Sequence, residues 1–242
     1  MSFRTLLLLG ALALVGCCKF DEEEPVATPD PAEPEEAQGS EGPQWESLFD
    51  GKTLGKWEVT DYIGSPEIEI KDDGILEIRP GEPLGGIRWT GKDDLPVVDY
   101  EIALEARRVE GDDFFCCLTF PYKEKHASFV VGGWGGSLTG ISSVNHYDAS
   151  ENETNGVGDF INGTWYRIRM RVTGDRIEAW IDDEQSVNLT TTEKIIEMRF
   201  GEIEESVPLG VSVFNTTAEI RNLKLRRLEP GAAPESPAID EF

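Results

Sequence analysis

Residues Tyr166–Val172 alternate without interruption: Tyr166, Ile168, Met170 and Val172 on one side, Arg167, Arg169 and Arg171 on the other. Side chains two apart share a face only in a strand, so this stretch fits a half-buried sheet. Thr173-Gly174-Asp175 supplies a turn, and residues Arg176–Ile181 return as a second strand before Asp182-Asp183 turns the chain again. Residues 101–107 alternate in the same way. Further strand candidates are 67–71, 75–79, 86–90, 114–120, 128–132, 138–143, 209–214 and 218–226. Residues 193–200 also read as a strand, through Ile196, Met198 and Phe200. No segment carries a long 3.6-residue apolar period. The many short strands, with Gly and Asp turns between them, imply an all-β antiparallel sandwich or barrel. The arginine face could be an anion site. The simpler expectation is that Glu101, Glu105 and Glu178 pair with it across neighbouring strands.

The flanks have a different character. Residues 1–16 combine Arg4 with an unbroken apolar run from Leu6 to Val15 closed by Gly16, the form of an export signal. That run is too short to cross a bilayer, which takes about 20 helical residues. It ends Leu14-Val15-Gly16-Cys17, which resembles the bacterial lipobox, so Cys17 is the expected lipid attachment point. The chain is then expected to cross the cytoplasmic membrane and to be held at the cell envelope by lipid. Residues 17–44 read as an acidic, proline-rich tether. Within them, 19–44 contain nine acids, one lysine and five prolines. Residues 229–242 share that composition and read as a tail. Neither can bury enough apolar surface to offset its chain entropy. Residues 45–228 remain, enough for one core in one domain.

The net charge is −25, from 47 acidic and 22 basic residues. Residues 19–44 hold −8 and 229–242 hold −4, which leaves −14 for 45–228 once Arg4 is set aside. Nucleic acid is a poor partner for such a domain, because affinity for it comes largely from neutralised phosphates. Cys116 and Cys117 are adjacent in a strand, so they face opposite ways and are badly placed to bond each other. A disulfide framework is not expected.

The domain opens Trp45-Glu46-Ser47-Leu48-Phe49-Asp50-Gly51-Lys52-Thr53-Leu54-Gly55-Lys56-Trp57. Val98-Asp99-Tyr100-Glu101-Ile102, the Trp165 to Asp183 hairpin, Pro208-Leu209-Gly210-Val211 and Ile220-Arg221-Asn222-Leu223-Lys224-Leu225 follow in order. Together these segments resemble the 3-keto-disaccharide hydrolase family over about residues 45–228. The resemblance implies a concanavalin A-like jelly-roll sandwich of two antiparallel sheets, with ligand on the concave face. It also implies cleavage of glycosides already oxidised at the sugar 3-position, by proton abstraction beside the ketone followed by water addition. Trp45, Phe49, Leu54 and Trp57 then belong to the core rather than to a sugar platform. The sequence departs from common members at Asp113-Phe114-Phe115-Cys116-Cys117-Leu118-Thr119-Phe120 and at Gly132-Gly133-Trp134-Gly135-Gly136.

Candidate chemistry concentrates in residues 142–155, which gather His146, Tyr147, Asp148, Glu151 and several amides. His146, Asp148 and Glu151 are the candidate proton carriers, since each can exchange a proton in the range a glycoside-cleaving site uses. Trp134, between two Gly-Gly pairs, is a candidate platform for a sugar ring, with Asn145, Tyr147 and His126 as further substrate contacts. A calcium reading draws on the oxygens of Asp148, Glu151, Asn152 and Glu153, although their spacing matches no EF-hand loop. No cofactor is otherwise expected. The competing functional class is a non-catalytic carbohydrate-binding module or a structural envelope protein.

Overall fold

The computed structural model describes residues 43–64, 66–91 and 94–231. The proposed signal, Cys17, the tether to residue 42 and the tail from residue 232 lie outside them.

Fifteen strands follow in chain order: β1 (Glu46–Ser47), β2 (Trp57–Val59), β3 (Ile68–Ile70), β4 (Leu76–Ile78), β5 (Leu84–Trp89), β6 (Tyr100–Gly111), β7 (Cys116–Tyr122), β8 (Lys125–Gly132), β9 (Leu138–Ser142), β10 (Gly156–Val157), β11 (Tyr166–Val172), β12 (Arg176–Ile181), β13 (Glu184–Thr190), β14 (Gly210–Phe214) and β15 (Thr216–Arg227). They form two sheets. One runs β13-β12-β11-β6-β15-β4-β3, with β1 added on β15; the other runs β10-β9-β8-β7-β14-β5-β2. The paired strands are antiparallel in both.

Period-two alternation decides what each sheet turns inward. Ile102, Leu104 and Ala106 of β6, Ile168, Met170 and Val172 of β11, and Ile177 and Ala179 of β12 face the core. From the other sheet come Cys116, Leu118 and Phe120 of β7, Phe129 and Val131 of β8, Ile141 of β9, and Val211 and Val213 of β14. Cys116 therefore lies in the core while Cys117 faces away from it, and both are free thiols. Phe49 and Trp57 join the core, and Leu54 packs against it.

Two expectations need correction. Trp45 is half-buried rather than in the core, with Lys224 and Arg226 over its ring at 4.8 and 4.7 Å. Residues 193–200 form no strand. Ile196 makes one isolated bridge to Val144, and the facing segment is itself a turn closed by Val144 and Tyr147, so no ladder can extend. Glu193 also takes a φ of 62°, which breaks the extended run. Phe200 consequently stands 93% exposed.

The arginine face finds carboxylates, partly along diagonals. Arg171 stands opposite Glu101 and Glu178 in the ladder, and Arg167 opposite Glu105. Yet Glu101 takes Arg169 at 3.3 Å and Arg226 at 2.7 Å. Glu105 takes Arg221 at 2.6 Å, and Arg167 turns to Asp183 at 3.0 Å. Tryptophan rings lie against these cations: Trp180 against Arg169 at 4.1 Å, and Trp165 against Arg221 at 4.2 Å and Arg107 at 4.7 Å. Such stacking helps keep the ionic layer from water.

Further along the same face, Lys71 bridges Glu77 and Glu219, and Arg107 reaches Glu219. Burial works to raise the Glu219 carboxyl, but hydrogen bonds from Lys71 and Arg107 outweigh it and hold the group below its ordinary value of 4.5. The Lys71 hydrogen bond, against burial, lowers Glu77 as well. A carboxyl depressed in the folded state contributes stability above its unfolded pKa and loses it as pH falls through the folded value. Thermal melting should therefore weaken below about pH 4.5. Glu219→Gln should be less stable than the native chain near pH 7, with the difference closing on acidification. A gap that stays constant down to about pH 3 would show that the ion pairs contribute nothing.

Candidate functional site

The outer face of the seven-stranded sheet carries a groove of about 340 Å³, within the range that holds small ligands. Its floor consists of outward positions of successive strands: Leu84 of β5, Phe214 of β14, Cys117 of β7, Ser128 and Val130 of β8, and Ser142 of β9. Residues 199–203 and Trp134 also line it. On the same outer face, the Tyr62 hydroxyl and Ser212 Oγ lie 2.8 Å apart, and burial pushes the Tyr62 phenol well up.

Trp134 owes its position to backbone geometry. Gly132, Trp134, Gly135 and Gly136 all have positive φ, and Trp134 itself sits at φ 50°, ψ 51°. A β carbon on Gly132 would press on the Phe115 ring at 3.0 Å, and one on Gly136 would meet the Asp112 carbonyl at 2.8 Å. A tryptophan held left-handed costs about 1–2 kcal/mol, which the surrounding contacts must offset. Asp113 supplies one of them: its Oδ2 accepts the Gly135 N–H at 3.1 Å and its Oδ1 accepts the Phe114 N–H at 2.8 Å. The indole is left 42% exposed beside the groove.

Ser142 Oγ, in the floor, donates to Asp148 Oδ1 at 2.5 Å, and the Ala149 N–H donates to the same oxygen at 2.8 Å. Arg199 Nη1 lies 2.7 Å from Asp148 Oδ2, while its guanidinium sits 6.0 Å from the Trp134 ring. Arg199 and Trp134 thus line the groove side by side, with Asp148 paired to Arg199 from behind the lining. The Asp148 side chain keeps 17% of its surface open. Burial pushes the Cys117 thiol up to about 12, and Asp148 adds to the rise, while Ser128 and Arg199 oppose it. Cys117 is therefore a neutral lining group rather than a thiolate nucleophile.

The loop that holds Asp148 is braced from within. Asn152 Nδ2 donates to the carbonyls of Ile141, Tyr147 and Asp148, and its Oδ1 accepts from Thr154. Asn145 and His146, at φ 52° and 70°, form the tip of a tight turn. His146 Nδ1 lies 2.5 Å from Glu197 Oε1, and its side chain is 69% exposed outside the groove lining. Glu151 and Tyr147 are exposed and also lie outside that lining. His126 shares the outward face of β8 with Ser128 and Val130, but sits beyond them at the end away from Trp134. Of the four oxygens considered for calcium, Asp148 goes to Arg199, Glu153 to Lys194 at 2.5 Å, and Asn152 to Thr154. Among the described residues, no group of three or more His, Cys, Asp or Glu is placed to hold a metal ion.

Residues 44–226 match the 3-keto-α-glucoside-1,2-lyase-like domain. The chain belongs to that family. No curated protein matches the sequence. Among solved structures, the lyase-like domain is similar to the Crh5 transglycosylase, at 10% identity and TM-score 0.51, over 79% of this chain and 86% of that one. It is also similar to a Bacillus licheniformis β-glucanase, at 9% identity and TM-score 0.48, over 77% and 100% of the two chains. A third similarity is to the carbohydrate-binding module CBM66 from Bacillus subtilis, at 13% identity and TM-score 0.46, over 71% and 95%. The lyase-like domain is an all-β, concanavalin A-like jelly-roll sandwich of two antiparallel sheets, and it belongs to a carbohydrate-active family.

Of the residues singled out from sequence, Trp134 lines the groove, and Asp148 stands behind the lining, joined to it through Ser142 and Arg199. The lyase-like domain does not bring His146, Glu151, Asn145, Tyr147 or His126 into the lining. Reading the sequence missed Arg199, Phe200, Asp113, Phe114, Glu202 and Phe214 as groove residues. Strand alternation offered part of the signal, since Cys117, Ser128 and Ser142 are the small outward positions of three neighbouring strands. Arg199 and Phe200 gave none, because their segment looked like a strand.

Proposed function

We propose that this domain cleaves the glycosidic bond of a 3-keto-glycoside at the groove. Family membership supports the substrate class. The observation that carries the reading is Arg199, which lines the groove beside Trp134 and is paired with Asp148 just behind the lining. A base removes the C2 hydrogen as a proton, and its electron pair passes to the C3 ketone oxygen as an enolate. Collapse of the enolate forms the C1–C2 double bond and breaks C1–O, the pair leaving on the aglycone oxygen. Water then adds to the unsaturated ketone. In this reading Asp148 carries the proton, Arg199 faces the enolate oxygen, Trp134 supports the ring, and Ser128 and Ser142 hydrogen-bond its hydroxyls.

The test is turnover of a 3-keto-glucoside followed by the unsaturated ketone's absorbance. The native domain should convert it, and Trp134→Ala should raise KM by about fivefold with a smaller effect on kcat, as expected when a platform of about 1 kcal/mol is lost. Binding without turnover would favour the second reading, a carbohydrate-binding module, for which the exposed indole is the supporting feature.

We also propose that the domain is held at the cell envelope by lipid on Cys17. The Leu14-Val15-Gly16-Cys17 sequence supports this. Cys17→Ser should release the protein from the membrane fraction. A variant that still resists a carbonate wash would rule the anchor out.

A further inference from the structure

The groove has two chemically distinct ends. One is polar: Ser142 and Ser128 stand opposite each other across β9 and β8, next to Asp148 and Arg199. The other is apolar: Pro83, Leu84, Phe114 and Phe214 line it. Strand register keeps the ends apart. Ser142, Ser128, Thr119 and Gly210 fall in one row across four strands. Phe214 lies four residues further along β14, opposite Leu84 of β5. At roughly 3.3 Å per residue, that offset is about 13 Å along the strand direction. The Phe114 and Phe214 rings pack 5.6 Å apart, tilted by 42°. Phe200 also lines the groove and is exposed, although an exposed phenylalanine gains nothing from water.

From this polarity we infer that the apolar end is the leaving-group subsite and that it takes an aromatic aglycone rather than a second sugar. The inference rests on the cleavage reading above for which end holds the oxidised ring. A second pyranose there would bring hydroxyls against phenylalanine and leucine side chains, where a buried hydroxyl left without a hydrogen-bond partner is unfavourable. A phenyl ring would meet offset or edge contacts instead. The chemistry agrees. The Asp113 carboxylate at that end already accepts two backbone N–H groups, and Glu202 Oε1 accepts the Ile63 N–H at 3.4 Å. A leaving oxygen there gains most if it departs without a proton. A phenol, with a pKa near 10, does so far more readily than a sugar hydroxyl. The electron pair of the C1–O bond leaves as phenolate, the C2 proton having gone to Asp148, and no oxidant or reductant is consumed.

The test uses the native chain and two stable probes, phenyl α-glucoside and methyl α-glucoside, titrated by calorimetry. The phenyl compound should bind at least about tenfold more tightly, the affinity ratio expected for one well-packed ring. Phe200→Ala should remove about half of that preference on a logarithmic scale without lowering the melting temperature, since the side chain is exposed. Phe214→Ser should act in the same direction. Equal affinities in the native chain, or an unchanged preference in both variants, would overturn the inference. Turnover of the two corresponding 3-keto-glucosides and of a 3-keto-disaccharide separates the two claims. A phenyl preference in binding with no cleavage of any keto-glycoside upholds the subsite and defeats the cleavage reading. Cleavage of the keto-disaccharide as fast as the phenyl compound upholds cleavage and defeats the aromatic aglycone.

Discussion

Asp148→Asn is expected to lower kcat/KM for 3-keto-glycoside cleavage by about 10²–10⁴-fold, the usual cost of losing one general acid or base. The amide oxygen of Asn can still accept from Ser142 and from the Ala149 N–H, so the loop should hold. What disappears is the exchangeable proton and the charge facing Arg199. Those two losses can be told apart. If Asp148 is the base, the acidic limb of the pH–kcat/KM profile should vanish in the variant. If Asp148 only orients Arg199, the limb should survive at reduced height, and Asp148→Asn combined with Arg199→Ala should cost no more than Arg199→Ala alone. His146→Ala and Glu151→Ala should have smaller effects than Asp148→Asn: all three side chains stand outside the groove lining, but Asp148 is tied to its residues Ser142 and Arg199, whereas His146 pairs with Glu197 away from it. Full activity in Asp148→Asn would move the chemistry elsewhere on the sandwich.

The second large effect belongs to stability. Glu101 is 1% exposed and holds both Arg169 and Arg226. Glu101→Ala leaves two guanidinium groups facing a missing charge. Removing one partner from a buried pair costs about 3–5 kcal/mol. For a domain of this size that is a drop of about 10 °C in Tm, at roughly 2–4 °C per kcal/mol. Replacing all three groups, with Glu101→Leu, Arg169→Met and Arg226→Met together, should recover most of the loss, since the carboxylate and the two cations paired with it are removed together. A single variant that melts within about 2 °C of the native chain would mean that water reaches the cluster.

The strands of the sandwich were largely legible in the sequence, and for one reason. Where one face meets the apolar core and the other carries paired charges, alternation writes itself into the residues, as in Tyr166–Val172 and Arg176–Ile181, both of which the structure reproduces without change, although most of the charged face is buried as well. Edge elements were less legible. The polar run Glu184–Thr190 forms β13 at the sheet margin, and the three residues of β2 are too few to show a period. Residues 193–200 had the alternation but lacked a partner strand to use it. The site was half legible for a related reason. A concentration of polar residues located the loop of Asp148, but sequence carries no direction. The turn at Asn145 and His146 places the histidine with Glu197, and the groove's aromatic wall comes from segments distant along the chain.

Asp113 has a consequence for how such a groove can change. Its two carboxylate oxygens hold the Gly135 amide, which sets Trp134, and the Phe114 amide, which sets the ring packed on Phe214. The platform at one side and the aromatic wall at the other are therefore fastened to a single side chain, 2.8 and 3.1 Å from its oxygens. Neither can shift without releasing or dragging the other. Reach and selectivity become one inherited trait rather than two: a lineage that lengthens Asp113 to glutamate re-spaces both walls in the same step, while substitutions confined to Phe200 leave the span untouched and alter only what it grips.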